Sequence, residues 1–334
     1  MKSPGQQIAL SKEQIDSVVS LYTIGRYQEA IDQIKVLNTS HPNVPFLFNL
    51  IGACYKELGE TKGALKMFET AVNIKSNYFE AYKNLGVTLR DIGEFESAVE
   101  NFKKSIALSA DYVDAHYNLA ITYKDSNQIE NAIQSYEKVI EINPEFEAAY
   151  NNLGNIFNEL GRKKSAVKYY EKAIEINPNF AEAYRNLGNV FRDLKQRKDA
   201  LMSFENAMKL KPELEFILGD ILNSIMQLCL WNSLPNYLNE LINLINKRKK
   251  AIAPFPLLSL IDNPELFKKN TEIFANSIYP KSTALPQIEV YPKHEKIRIG
   301  YFSGDFRDHP VAYLTAGLYE AHSRDSFEIH AFSL

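Results

Sequence analysis

The sequence predicts a mainly α-helical protein, a right-handed α-solenoid of six helical hairpins followed by the opening βαβ unit of a doubly wound α/β domain. Two observations predict this fold class. One sequence pattern repeats six times between residues 11 and 214, and a strand–loop–helix–strand pattern occupies residues 296–334. Between them, helical apolar spacing predicts a bridge over 215–279, and a Pro-containing polar stretch predicts an extended linker over 280–295.

Bulk composition limits the classes of function. The chain has 334 residues, a formal net charge of −3 and a pI near 6.1, so it has no general attraction for nucleic acid or anionic membranes. We expect a cytoplasmic protein, because no stretch resembles a signal peptide or a bilayer span. Cys54 and Cys229 sit at apolar helical positions and are predicted to be buried, reduced thiols. The histidines lack the spacing of metal ligands, so no metal is expected.

Small and bulky residues recur at fixed places in the repeat. An alanine followed after four residues by a bulky side chain appears as Ala30/Ile34, Ala64/Phe68, Ala98/Phe102, Ala132/Tyr136, Ala166/Tyr170 and Ala200/Phe204. A second small residue appears as Gly52, Gly86, Ala120, Gly154 and Gly188. We expect the small residues to let two helices approach closely and the bulky ring to fill the groove against the next hairpin.

Turn-forming residues divide each repeat into two helices. Gly25, Gly59, Gly93, Gly161 and Asn127 stand where the first helix must end in a left-handed residue, and Pro42, Pro144, Pro178 and Pro212 stop the second helix. The pattern resembles the tetratricopeptide repeat (TPR), a helix–turn–helix unit of about 34 residues. Such hairpins cannot bury their apolar faces alone, so we expect them to stack into a superhelix with a concave groove.

A row of asparagines predicts what the groove binds. Asn84, Asn118, Asn152 and Asn186 share one repeat position, with Asn155 and Asn189 one turn further on. A carboxamide offers donors and acceptors together, so such a row can hold the backbone of an extended polypeptide. The alternative is that these are exposed residues copied when the repeats duplicated. Asp16 and Leu50 occupy the position in the first two repeats, so any ladder is confined to repeats three to six.

The last segment has the pattern of an α/β domain. Residues 297–303 and 326–333 are predicted strands, and Pro310 begins a predicted helix that ends near Ala321. The loop between strand and helix carries Asp305 and His309. A phosphate-binding GxGxxG motif is absent from this segment.

The run Arg298-Ile299-Gly300-Tyr301-x-Ser303-x-Asp305-Phe306-x2-His309-Pro310 resembles the start of the catalytic region of protein O-linked N-acetylglucosamine transferases and SPINDLY-type relatives. The bridge elements Leu218-Gly219-Asp220, Cys229-x-Trp231 and Pro254-Phe255-Pro256-Leu257-Leu258 are similar to those of bacterial members. The resemblance implies a Rossmann-like, GT-B type domain that transfers N-acetylglucosamine from a UDP-sugar to Ser or Thr with inversion and without a metal.

Two residues of this motif are candidate catalytic groups. The resemblance places His309 in the active site, where an imidazole can accept a hydroxyl proton; alternatively it caps the helix that begins at Pro310. Asp305 either orients His309 or closes a turn, and the turn is favoured. Many relatives carry a second histidine where Tyr313 stands, so nothing attached to that histidine carries over.

The chain is therefore predicted to be the substrate-docking arm and the catalytic-domain start of a glycosyltransferase acting on proteins held in extended form. The family's nucleotide-binding half follows this region, so we expect the chain to be incomplete and inactive alone. The rival hypothesis is a non-catalytic tetratricopeptide adaptor that joins proteins.

Overall fold

The computed structural model describes residues 10–278, 296–303 and 323–333. They belong to two compact units, one that extends to Ile278 and one that contains the carboxyl-terminal strands. The helices of the first unit are α1 (Lys12–Thr23), α2 (Tyr27–Ser40), α3 (Pro45–Glu57), α4 (Thr61–Ile74), α5 (Phe79–Asp91), α6 (Phe95–Leu108), α7 (Val113–Asp125), α8 (Ile129–Ile142), α9 (Glu147–Glu159), α10 (Lys163–Ile176), α11 (Ala181–Asp193), α12 (Arg197–Leu210), α13 (Ile217–Gln227), α14 (Leu234–Asn246), α15 (Pro254–Leu257) and α16 (Pro264–Ile278).

Helices α1 to α12 form six hairpins in succession, which confirms the predicted TPR-type helical solenoid. The six repeat alanines and the six bulky residues that follow them are at most 1% exposed. In four hairpins the ring packs on the glycine of the same hairpin: a Cβ atom on Gly52, Gly86, Gly154 or Gly188 would lie 2.6–2.8 Å from the ring of Phe68, Phe102, Tyr170 or Phe204 respectively. Phe68 also packs with Leu85 of the following hairpin, as predicted.

The helix ends follow the turn residues of the repeat. Gly25, Gly59, Gly93, Gly161 and Asn127 all have positive φ, as predicted. The sixth hairpin uses Lys195 at this place, with φ 62°, which the sequence analysis did not anticipate. Second helices that lack a closing proline, α4 and α6, are as long as those that have one, 14 residues, so proline is not required to end them.

The hairpin plan continues after the sixth repeat. Helix α13 ends before Cys229, which has φ 55° and lies one repeat period after Lys195. The prediction of a buried Cys229 was wrong, because the residue follows the helix end and is exposed, whereas Cys54 is buried as predicted. The sequence period fades after Pro212, but the backbone keeps its spacing for one more helix.

The bridge has a core of its own. Leu218, Leu222, Leu241, Ile245, Ala251, Ile252, Leu257 and Leu266 pack together across α13 to α16. The amino terminus of α13 is held by backbone, because the N–H of Phe216 donates to the carbonyl of Lys250 (2.7 Å) and that of Gly219 to the carbonyl of Ala251 (3.0 Å). Among the described residues, no helix combines the length and apolarity that a bilayer span demands.

The second unit contains two strands, β1 (Ile297–Ser303) and β2 (Phe327–Ser333). They pair in parallel, with Ile297 opposite Phe327 and Ser303 opposite Ser333. A parallel pair requires a crossover connection, but the predicted helix over 310–321 and the predicted linker over 280–295 lie outside the described residues. The βαβ unit and its Rossmann-like character therefore stay predictions.

Candidate functional site

The first helices of successive hairpins lie side by side. Helix α3 contacts α5, α5 contacts α7, and α9 contacts α11. Ion pairs one repeat apart bridge these neighbours: the ammonium of Lys56 lies 3.0 Å from the carboxylate of Asp91, and that of Lys124 lies 2.9 Å from that of Glu159. The asparagine row occupies this surface, which we call the first-helix face and define by α3, α5, α7, α9, α11 and α13.

Three asparagines of the row bind the preceding hairpin through their amide nitrogens. The Nδ2 of Asn84 donates to Asn49 (3.0 Å), that of Asn152 to the hydroxyls of Tyr117 (3.0 Å) and Tyr136 (3.2 Å), and that of Asn186 to Asn151 (3.0 Å) and Asn155 (3.1 Å). All three side chains are half-buried. Within the described residues, their Oδ1 atoms accept no hydrogen bond, so acceptors remain along the row.

Asn118 is bonded differently because Lys83 stands where the other asparagines find their partner. An ammonium has no acceptor, so the Nδ2 of Asn118 donates to the carbonyl of Asp114 in its own helix (2.8 Å). Its Oδ1 accepts from Arg90 at 3.1 Å. Both functions of this carboxamide are therefore engaged inside the protein.

The asparagines one turn further on differ from each other. The Oδ1 of Asn155 accepts from the hydroxyl of Tyr170 (2.7 Å) as well as from Asn186. Asn189 is half-buried and makes no hydrogen bond through its side chain in the part of the chain that the structure describes. Of Asn155 and Asn189, it is therefore Asn189 whose side-chain donors and acceptor are both available to a ligand.

The row extends beyond repeats three to six, to which the sequence prediction confined it. Asp220 of α13 lies one repeat period after Asn186, and its carboxylate accepts from Arg185 (3.3 Å) and Arg192 (2.7 Å) of α11. The constant offset between repeats could have identified this residue, but an acid in place of asparagine and the loss of the period after Pro212 concealed it.

Burial shifts the ionisation of several groups on this surface. Desolvation raises the pKa of Tyr136 well above its usual value, and the nearby Tyr117 adds to the effect. Desolvation lowers the pKa of the Lys83 ammonium; Asp114 opposes that shift and Lys56 reinforces it. Both side chains are therefore held in a low-dielectric environment in which a polar partner is valuable.

The remaining candidates are dispersed or undescribed. Asp305 and His309 lie outside the described residues, so their predicted catalytic roles stay predictions. His116 is buried, with its Nε2 2.9 Å from the carbonyl of Ala110, and His41 is buried beside the hydroxyl of Ser40 (2.9 Å). No group of three metal-binding side chains occurs among the described residues.

Family models match most of the hairpin region. Tetratricopeptide repeat models match residues 47–78, 147–180 and 169–202, and a TPR repeat model matches 88–126 and 122–161. This region is a tetratricopeptide-repeat domain. The matched segments end at residue 202, so the tetratricopeptide assignment concerns the hairpins, and the transferase resemblance of the carboxyl-terminal residues gains no support from these matches.

Solved structures similar to the chain contain the same kind of repeat. A TPR repeat-containing protein from Cytophaga hutchinsonii, solved for its carboxyl-terminal part, is 16% identical with a TM-score of 0.55 over 76% of this chain and 98% of that one, a likeness of fold alone. MamA is 28% identical (TM-score 0.45; 49% of this chain, 95% of that one). YrrB, described as a TPR protein with an unusual peptide-binding site, is 18% identical (TM-score 0.44; 54% and 92%). No curated protein matches the chain at a significant level.

Proposed function

We propose that the tetratricopeptide repeats form a protein-interaction module that holds an extended polypeptide along the first-helix face. The observation that carries this proposal is the row of half-buried carboxamides, whose Oδ1 atoms on Asn84, Asn152 and Asn186 have no acceptor role inside the described protein. A peptide backbone supplies N–H donors at regular intervals, whatever its side chains are.

The engaged Nδ2 atoms define how the row binds. Asn152 and Asn186 each use both N–H groups of Nδ2 on the preceding hairpin, so neither can donate to a ligand carbonyl without breaking a bond, whereas Asn84 uses one and keeps the other. Binding therefore relies mainly on the Oδ1 acceptors, and Asn84 and Asn189 each offer a donor as well. The module binds donor-rich extended segments, an adaptor role that needs no chemistry by the chain itself.

Asn189 gives the sharpest test, because its side chain supports no other group in the described fold. Asn189→Ala should weaken binding of a fluorescein-labelled, uncharged extended peptide by about 1 kcal/mol, roughly fivefold, in an anisotropy titration. The matched control is Asn206→Ala, an exposed asparagine on the second helix α12, which should leave affinity unchanged. Equal affinities for wild type and Asn189→Ala would contradict the proposal.

Transfer of N-acetylglucosamine from a UDP-sugar remains a second candidate function, in which the same module would present Ser or Thr residues to a catalytic domain. Its support is the parallel pairing of β1 and β2, which suits the start of a doubly wound domain, together with the resemblance around Asp305 and His309. The adaptor function has the better support. The coding DNA that follows codon 334 separates the two, since a nucleotide-binding domain encoded there favours the transferase and unrelated sequence favours the adaptor.

A further inference from the structure

Two pairs of cations on the first-helix face occupy equivalent repeat positions. Lys83 and Arg90 lie seven residues apart on α5, and Arg185 and Arg192 lie seven residues apart on α11. The second pair follows the first after three full repeat periods. Seven residues are two helical turns, so the members of each pair share one face of their helix.

The first pair faces a neutral member of the row. Arg90 donates to Asn118 (3.1 Å) and lies 3.3 Å from Asp91, whose carboxylate is shared with Lys56. Lys83 is half-buried and, among the described residues, has no carboxylate within ion-pair distance. A partly desolvated ammonium without a carboxylate gains most from a ligand that supplies one.

The second pair faces the acidic member of the row. Asp220 binds Arg185 through Nε and Arg192 through Nη1, so a single negative charge fixes two guanidinium groups. The side chain of Asp220 is 16% exposed, whereas those of Arg185 and Arg192 are 29% and 31% exposed. Each guanidinium keeps N–H groups that Asp220 does not use, in a fork that suits a second carboxylate.

The helices between the two pairs, α7 and α9, carry no pair of cations at these positions. Tyr117 of α7 and Asn151 of α9 occupy the repeat position that Lys83 and Arg185 hold in their own helices. Asn158 of α9 occupies the repeat position of Arg90 and Arg192. The remaining equivalent, Lys124, is paired with Glu159 at 2.9 Å. The first-helix face thus presents two cationic positions separated by a polar, neutral stretch that contains Asn152.

We propose that the Lys83/Arg90 and Arg185/Arg192 pairs bind two acidic side chains of one extended polypeptide, whose backbone lies on the asparagine row between them. This inference rests on the proposed peptide-binding function. The two pairs lie on α5 and α11, which are three steps apart along the first helices. With about 8–10 Å between neighbouring helices, the pairs are roughly 24–30 Å apart. An extended chain advances about 3.3–3.6 Å per residue, so the acidic residues of the ligand are about eight positions apart.

The test uses three fluorescein-labelled peptides of equal length in anisotropy titrations against the full chain. One is an uncharged peptide of Ser, Thr and Gln, the second carries two Asp at the proposed spacing, and the third carries two Asp at half that spacing. The proposal expects the second peptide to bind about tenfold more tightly than the uncharged one, and more tightly than the third. Lys83→Gln and Arg185→Gln should each remove most of this preference, and so should high salt.

The variants are chosen so that folding is preserved. A glutamine at position 83 offers Asn118 an acceptor on the preceding hairpin, which lysine does not. Lys168→Gln on the second helix α10 is the matched control for loss of charge. Equal affinities for the two acidic peptides, or a preference that survives Lys83→Gln, would overturn the two-site inference while leaving peptide binding intact. Failure of all three peptides to bind would overturn the proposed function itself.

Discussion

The ring of Tyr170 lies against Gly154 so closely that a Cβ atom on residue 154 would come within 2.6 Å of the ring carbon Cε1. The two residues belong to α10 and α9 of one hairpin, and the same relationship joins Gly188 to Phe204 at 2.6 Å. The glycine in each of these two hairpins is therefore fixed by the ring opposite it, since side chains in well-packed cores have little room to move.

Gly154→Val should destabilise the protein by about 1–3 kcal/mol, because the added methyl groups have to displace the Tyr170 ring from a fully packed site. The better helix propensity of valine returns only a few tenths of a kcal/mol of this. Urea unfolding followed by circular dichroism measures the change. Glu171→Val, at an exposed site on α10, is the control and should stay within about 0.5 kcal/mol of wild type.

Substitutions at two left-handed residues, each at the end of a first helix, should change the free energy of unfolding in opposite directions. Gly161 has φ 72° and open space around its missing Cβ, so Gly161→Ala should cost about 1–2 kcal/mol through backbone strain alone. Lys195, with φ 62°, is strained already, so Lys195→Gly should stabilise the protein by up to about 1 kcal/mol. The two midpoints in urea should shift in opposite directions; a loss of stability in Lys195→Gly would contradict this account.

Much of the fold follows from residues that only one environment can accommodate. Ala132 and Tyr136 had to be buried, because their repeat places them at a helix crossing, and both are. Two helix ends carry no signal in the sequence and are set by tertiary structure instead. Lys195 takes a left-handed conformation that its side chain does not favour, and Cys229 lies beyond a helix end that no glycine marks.

The candidate site was harder to predict than the fold. The spacing of Asn152 and Asn186 identified a row, but their bonds to Tyr117 and Asn151 depend on how closely the first helices approach. The repeat period places equivalent residues in register, whereas each bonded partner lies one position beyond that period, an offset that arises from the packing of neighbouring helices. Lys83 leaves Asn118 to donate within its own helix. This effect could not be predicted from the positions of the asparagines alone.

Asn152→Ala should destabilise the protein as well as weaken peptide binding. The change removes two hydrogen bonds, to the hydroxyls of Tyr117 and Tyr136, and leaves the largely buried Tyr136 hydroxyl without that partner, so we expect a loss of about 1–2 kcal/mol. Differential scanning calorimetry measures the effect; an Asn152→Ala midpoint equal to wild type would mean that these bonds contribute nothing net.

Alkaline pH should destabilise the fold through three half-buried tyrosines. Desolvation raises the pKa of Tyr78, Tyr112 and Tyr237 from 10.0 to about 12. Above pH 10 the unfolded chain loses these protons before the folded protein does, so the free energy of unfolding is unaffected below pH 10 and falls as pH rises towards 12.

The size of this alkaline effect is measurable by urea unfolding at several pH values. Because the side chains are partly exposed, we expect a loss of roughly 1–3 kcal/mol over the first pH unit above 10. Tyr112→Phe removes one of the ionising groups and should flatten the dependence. Stability that stays constant to pH 11 in the wild type would show that these tyrosines ionise as they do in water.

The two cysteines should differ sharply in reactivity, because only the thiolate is a nucleophile and access to it is required. Burial raises the pKa of Cys54 to about 11, so at neutral pH its thiol is protonated as well as enclosed by the core of the first two hairpins. Cys229 is exposed at the end of α13. Iodoacetamide should therefore alkylate Cys229 in the native protein and reach Cys54 only after urea unfolding, as peptide mass mapping would reveal. Cys229→Ser should abolish native labelling, and alkylation of Cys54 at a similar rate in the native protein would mean that the first hairpins open far more readily than their packing implies.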